Sequence, residues 1–203
     1  EVGIITKEKL NIPGTSFNDV KVKYLKYKTR GKLMFTHKGL SGSAIMLLSE
    51  HIYKNEEKTI YIDFLPNKTM DELLNEINNT NKEKDLLSFL NNYFTKRFSS
   101  YLIEKLPFPS NIKIKNLNKK DLEKLIDKIK NSSYEVESVD DINNAYVTGG
   151  GIDLKYINTK TFASTINKNL YFVGEALDFH GPIGGYNLTI ALSTGYSAGI
   201  SIK

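Results

Sequence analysis

Residues 171 to 195 carry the types and spacing that a nucleotide cofactor asks for: Tyr171-Phe172-Val173 runs into Gly174-Glu175, and Gly181 and Gly184-Gly185-Tyr186-Asn187 then open a run of small residues. An apolar strand brings the backbone to a sheet edge, glycines allow close approach, and the free N–H groups of a helix start attract an anion or an electron-rich ring edge. Leu170 to Val173 is apolar on both faces, as in a central strand of a covered parallel sheet, which puts Gly174 and Glu175 at its carboxyl end. Glu175 in that place either accepts hydrogen bonds from sugar or ribityl hydroxyls or faces solvent. Asn187 suits an N-cap, and Ala191, Ser193, Gly195, Ala198 and Gly199 keep the following helix thin enough to pack hard against a sheet or a ring system.

Gly149-Gly150-Gly151 serves either a close backbone approach to a ligand or a tight hairpin, since glycine supplies both through positive φ. The histidines are His37, His51 and His180, and no two have the spacing of a zinc motif, so no metal site is expected. His37 and His180 sit in Gly-bearing turns, where a side chain can point into a cleft; His51 falls on an expected helix and reads as structural. There is no G-x-S-x-G, and Gly39-Leu40-Ser41-Gly42-Ser43 misses that spacing, which disfavours a serine hydrolase. With no cysteine, thiolate metal sites, disulfides and cysteine nucleophiles are excluded.

The elements that must position these residues show in the patterning. Val20-Lys21-Val22-Lys23-Tyr24 alternates with period two and continues to Tyr27, so a hairpin is expected to turn at Thr29-Arg30-Gly31 and return through Lys32 to Thr36. Ala44 to Leu48 with His51 and Ile52 predicts a short helix, and Thr59 to Phe64 another strand. After Pro66 the style changes: Thr69-Met70-Asp71-Glu72 is a capping box, and Leu86, Leu87, Leu90, Tyr93, Phe94, Phe98, Tyr101 and Leu102 recur at helical spacing until Pro107 and Pro109. Asn118 with Asp121 starts a further helix striped by Leu122, Leu125, Ile126 and Ile129. Period two returns at Tyr134 to Val139 and runs on through Ala145 to Thr148. The order β, α, β predicts an α+β chain in which a helical unit is inserted in a β-rich domain.

At 203 residues, 40% hydrophobic and 25% charged, the chain is of the globular class and long enough for a real core in one domain or two. No apolar stretch reaches membrane-span length and no secretory leader is visible, so the expectation is cytoplasmic, without a membrane partner. Glu1 in place of Met is read as the start of a piece of something longer. The net charge of +5 is spread along the chain; the densest basic stretch, Lys113 to Lys130, also holds Asp121, Glu123 and Asp127 and reads as a solvated helix face, so no nucleic-acid partner is expected.

Four blocks in this order, 34–49, 145–152, 170–188 and 192–199, resemble those of a bacterial family of flavoproteins, the aminoacetone-oxidase-like, NAD(P)/FAD-dependent oxidoreductases. The third is the most specific, with Gly174-Glu175, Leu177-Asp178, Gly181 and Gly184 to Asn187 in register. The resemblance covers the whole chain as the later half of the family's plan. It implies a β-rich, barrel-like second domain at 1–66 and 132–158, an inserted helical domain at 67–131, and at 159–203 a strand-helix piece of a split Rossmann-type FAD-binding domain. The Gly-rich βαβ fingerprint that holds the FAD pyrophosphate is not found here, so the chain alone is expected to bind FAD weakly or not at all and to be inactive.

By resemblance, Glu175 meets the ribityl hydroxyls of FAD, while Gly174, Gly184, Gly185, Tyr186 and Asn187 line the cofactor, the last four at the pyrimidine edge of the flavin, where a helix start stabilises negative charge on reduced flavin. His180, Tyr186 and His37 are the candidates for a proton-handling role near a small or medium organic substrate; NADH or NADPH is the expected electron source. Two departures stand out: Ser43 where proline is usual, and Thr189 where glutamine is usual, the second bearing on any side-chain contact there. A rival of another class treats the chain as an autonomous protein-binding module that uses its helical unit.

Overall fold

Alternation of apolar and charged residues between Ser16 and Phe35 makes two long strands, β2 (Ser16–Tyr24) and β3 (Tyr27–Phe35), with Val20, Val22, Tyr24, Leu33 and Phe35 turned inward. The hairpin turns at Leu25-Lys26, with Leu25 at φ 50, and not at Thr29-Arg30-Gly31, which lies inside β3. Gly31 instead faces Val20, next to an irregularity in register between Phe17 and Val20. With β1 (Ile4–Thr6), β4 (Gly39–Ser41), β5 (Thr59–Asp63) and β6 (Ser132–Val139), the hairpin closes a six-stranded barrel in the order β1-β4-β3-β2-β5-β6, every pair antiparallel. Closure leaves no strand edge unpaired.

This computed structural model describes residues 1–202, which divide into a unit of Gly3–Val139 and a second of Glu1–Val2 with the chain from Asp140 onward. In the first, helices α1 (Ser43–Met46) and α2 (Ser49–Lys54) follow β4; His51 on α2 stacks on Tyr27 at 3.7 Å and is structural. Between β5 and β6 come α3 (Met70–Asn79), α4 (Leu86–Leu90), α5 (Lys96–Glu104) and α6 (Lys119–Lys130). Both capping boxes form: Thr69 accepts from Glu72 N–H at 3.2 Å, and Asn118 from Asp121 N–H at 3.0 Å, each carboxylate reaching back. The apolar run of 86–102 is two helices rather than one, because Thr95 caps a new start at Lys96.

One aromatic cluster joins barrel and helices within this unit. Phe98 of α5 lies 4.7 Å from Phe17 and 4.6 Å from Phe64, with Phe35 and Phe94 around it. Such pairs contribute about 0.5–1.5 kcal/mol each beyond the area they bury. Lys130, at the end of α6, donates to the carbonyls of Leu65 and Lys68 and pairs with Asp63 at 2.7 Å, tying the returning helix to β5.

The second unit is mostly irregular and ends in α7 (Tyr186–Ser201). The strands expected at 145–148 and 170–173 do not form; Tyr171 makes a single bridge with Ala163, and Gly174–Ala176 is one turn of 3-10 helix. Only 162–164 runs alongside, Ser164 N–H donating to Leu170 O at 2.7 Å and Phe172 N–H to Phe162 O at 3.0 Å, too short a pairing to make a strand. Of the expected strand-helix piece, the helix forms as α7 and the strand is reduced to this bridge among the described residues.

Candidate functional site

The second unit gathers two of the segments that the motifs single out. Ile152 N–H donates to Ala176 O at 2.9 Å and Asp178 N–H to Ile152 O at 2.9 Å, a parallel bridge that lays 149–152 alongside 176–180. Gly151 is required there, at φ 146, since a Cβ would stand 2.7 Å from Ala176 O. Gly149 faces the His180 ring, whose Cε1 would be 3.1 Å from an added Cβ. The triple glycine therefore serves a close approach between two backbone segments.

Glu175 is pinned in the same place. Its Oε1 accepts from Thr148 N–H at 3.2 Å and from the Thr148 hydroxyl. The hydroxyl first, then the N–H, holds this carboxyl below the ordinary carboxylate range, and the field of His180 adds to the effect. Gly174, at φ 60, donates to Thr194 Oγ1 at 2.8 Å, and that hydroxyl donates in turn to Ile190 O, so the turn is fastened to the middle of α7. An added Cβ at Gly174 would touch Ala191 Cβ at 3.3 Å, which accounts for one small residue on α7; Gly195 and Gly199 face open space. Thr148 and Thr194 are the residues that motif reading missed, because a hydroxyl 27 or 20 residues away leaves no local signal.

At the start of α7 the N-cap is Gly185, at φ 93 in the left-handed region, and not Asn187. Asn187 lies one turn in, and its side chain both accepts from Gly181 N–H at 2.9 Å and donates to Gly181 O at 2.8 Å. It clamps the 181–185 loop and is not available as a cap. Gly184 and Gly185 are exposed, an added Cβ at Gly185 meets nothing within 4 Å, and the first-turn N–H groups have no partner within the helix. Tyr186 stands 60% exposed at the first position of α7, its ring beside Gly184. The arrangement offers an accessible glycine rim, a helix start that favours negative charge, and a fixed carboxylate beside His180.

His37 belongs to the other unit. It is exposed in the turn between β3 and β4, where Thr36 Oγ1 accepts from the N–H groups of Lys38 and Gly39. Ser43, at the usual proline position, accepts from Lys32 N–H at 3.1 Å, and Thr189 turns its hydroxyl to Gly185 O at 3.4 Å. No helix among the described residues is long and apolar enough to cross a membrane.

Residues 1–147, which span the closed barrel and helices α3 to α6, match the family described as HI0933-like protein barrel and H2TH domain. A protein of Haemophilus influenzae named ribosomal RNA dihydrouridine synthase is 33% identical over 172 residues, 85% of this chain and 42% of its own length. An Escherichia coli protein of the same name is 30% identical over 168 residues, 83% of this chain and 41% of its length. A Clostridium scindens protein named 3-dehydro-bile acid delta(4,6)-reductase is 31% identical over 177 residues, 83% of this chain and 43% of its length. The chain thus spans about two fifths of the curated relatives it matches.

Proposed function

This chain belongs to the HI0933-like barrel and H2TH family, and we propose that it is the barrel, helical and C-terminal part of an FAD-dependent oxidoreductase that reduces a carbon–carbon double bond conjugated to a carbonyl. The relatives' names support the reaction class. One describes a uracil ring gaining two hydrogens, the other the reduction of double bonds in a ring system that carries a 3-oxo group. Both names describe redox chemistry, which does not favour the binding-module reading. The finer reading, an aminoacetone-oxidase-like enzyme of the cytoplasm drawing on NADH or NADPH, stays part of the proposal on the strength of the motif blocks alone.

The observation that carries the reading is the glycine rim at the start of α7, with Gly185 held at φ 93 and open space where its side chain would be. The backbone there fits a flavin edge: Gly184, Gly185 and the first-turn N–H groups of Tyr186 and Asn187 would hold it. Bound flavin supplies the hydride. Glu175, fixed by Thr148 and ionised at neutral pH, would orient ribityl hydroxyls through its remaining oxygen. The side chain of Asn187 holds Gly181 through both its polar atoms and so keeps the rim in shape. Gly174 likewise contributes through its hydrogen bond to Thr194. His180 and Tyr186 remain the candidates to deliver the proton that completes reduction, with His37 of the barrel unit a third. The substrate is either a free organic molecule of small or medium size or a base carried in an RNA strand.

The test is visible absorbance. The 203-residue chain and a longer protein containing it are each purified with FAD and desalted. A flavin spectrum in the longer protein, bleached by NADH or NADPH and restored by an enone acceptor, is expected, with little flavin on the shorter chain; absence of flavin from the longer protein overturns the proposal.

A further inference from the structure

The outer face of the barrel carries a charge pattern that the fold itself does not need. In β2 the exposed residues Lys21 and Lys23 each have direct partners on both sides: Lys21 faces Arg30 on β3 and Asp63 on β5, and Lys23 faces Lys28 on β3 and Tyr61 on β5. The first row is neutralised from within the chain except at Lys21, which makes no ion pair among the described residues. Arg30 holds Asp19 by two hydrogen bonds of 2.7 and 2.6 Å and also donates to Asn67, and Asp63 holds Lys130. The second row is not: Lys23 and Lys28 stand directly opposite each other and, among the described residues, neither ammonium has an ion-pair partner. Like charges placed directly across a strand pair destabilise it. The row persists beside an exposed aromatic ring, Tyr61 at 38% exposure, and lines an open groove of about 450 Å³.

We propose that this groove on strands β2, β3 and β5 binds the phosphate backbone of single-stranded RNA, with Lys23 and Lys28 neutralising phosphates and Tyr61 offering a face for a base to stack on. Lys21 and Lys23, neither with an ion pair among the described residues, lie about 7 Å apart along β2, comparable to the spacing of successive phosphates on one nucleic-acid strand. A cationic groove with an interleaved aromatic ring is the usual arrangement for single strands. Apart from Tyr61 the exposed side chains lining the groove are polar or charged, which fits a threaded strand better than a membrane surface. The inference rests on the reading above only where it chooses RNA over a free molecule as the substrate's carrier; it is tested without flavin or turnover, so its failure leaves the redox reading intact.

The experiment is fluorescence anisotropy of a labelled, mixed-sequence single-stranded RNA against the full chain, as wild type and as Lys28→Glu, Tyr61→Ala and Lys124→Glu. Lys124 is an exposed lysine of α6 that does not line the groove, and its variant controls for the change in net charge. Lys28→Glu sets opposite charges across from Lys23, so it folds at least as well as wild type, which a thermal melt verifies. Expected are affinity loss of about tenfold for Lys28→Glu with a shallower dependence on salt, loss of about fivefold or more for Tyr61→Ala, and a change within about twofold for Lys124→Glu. Equal losses in Lys28→Glu and Lys124→Glu, or no saturable binding by wild type at about 50 mM salt, overturn the proposal. So does Lys28-dependent binding to phosphatidylserine vesicles with no binding to RNA, which would make the face a membrane contact.

Discussion

Thr148 and Glu175, 27 residues apart, are joined twice, through the Thr148 N–H and through its hydroxyl, both to the same carboxylate oxygen. The hydroxyl is the larger cause of the lowered Glu175 pKa. Thr148→Val removes it and leaves the N–H bond, so the Glu175 pKa should rise toward the ordinary 4.5. A carbon-detected NMR titration of the carboxyl group reads this directly. An unchanged pKa would mean that the backbone N–H alone sets it.

Gly185→Ala isolates the backbone requirement of the rim. An added Cβ meets nothing within 4 Å, so crowding contributes nothing, and the cost is that of holding a side-chain-bearing residue at φ 93. That is about 1–2 kcal/mol. Hydrogen exchange should show the first turn of α7 opening more often by the corresponding factor, with the middle of the helix, fastened through Thr194 to Gly174, less affected. Uniform loosening along α7 would contradict the assignment of strain to Gly185.

Local signals in the sequence were legible where both partners lie within one turn. Thr69 with Glu72 and Asn118 with Asp121 show their capping boxes in four residues, and both form. The hairpin was legible in its strands but not in its turn: Leu25-Lys26 has no glycine or asparagine to announce it, whereas Gly31, which draws the eye, sits within β3. Tyr171-Phe172-Val173 has strand composition, yet pairing belongs to two segments, and here Tyr171 meets one bridge partner, Ala163. The site divides likewise. Gly174, Gly184 and Gly185 were legible by type and their φ values are positive, but what Glu175 and Asn187 hold was not, since Thr148 and Gly181 are brought to them by loops without periodicity.

Lys130 and Asp63 form the most enclosed ion pair of the barrel unit, with side chains 10% and 18% exposed, and Lys130 also satisfies the Leu65 and Lys68 carbonyls. Lys130→Met takes the cation from Asp63 and a donor from each carbonyl, of which Leu65 O keeps the Lys68 N–H at 3.1 Å, and should lower stability by about 3 kcal/mol or more in urea denaturation. Adding Asp63→Leu removes the uncompensated carboxylate and should recover part of that loss, leaving the lost carbonyl contacts and the freed Leu65 N–H as the remaining deficit. No recovery in the double variant would show that the carbonyl contacts, not the ion pair, dominate.

Stability should fall away on both sides of neutrality, for opposite reasons. Glu72, Glu76 and Glu83 have lowered pKa values, chiefly from hydrogen bonds to Thr69, to Lys68 and to Lys115 respectively. Groups of this kind contribute above their unfolded pKa of 4.5, and the contribution is lost as pH falls through the lower folded values. At the alkaline end burial raises Tyr134 and Tyr101, and burial followed by the Glu76 hydrogen bond raises Tyr93 to about 12. The folded chain keeps these protons longer than the unfolded chain, so stability present below pH 10 is lost as pH rises from 10 to about 12. Thermal melts across pH test both limbs, and Tyr93→Phe should flatten the alkaline one.

Asn187 separates a direct cofactor contact from a supporting role. Its two hydrogen bonds to Gly181 close a loop whose other members, Gly184 and Gly185, have no side chains of their own to fix it. Asn187→Ala removes both bonds, at about 1–2 kcal/mol for two neutral hydrogen bonds, and should speed exchange of the Gly181 amide while leaving α7 beyond its first turn intact. Asn187→Asp keeps the acceptor for Gly181 N–H but sets a carboxylate oxygen against Gly181 O, so it should protect that amide less well than wild type and better than Asn187→Ala. In a longer protein that holds flavin, cofactor retention should then follow loop order: reduced in Asn187→Ala, and less so in Asn187→Asp. A direct contact through the amide N–H₂ group would instead predict equal loss in both variants, because both lack that donor.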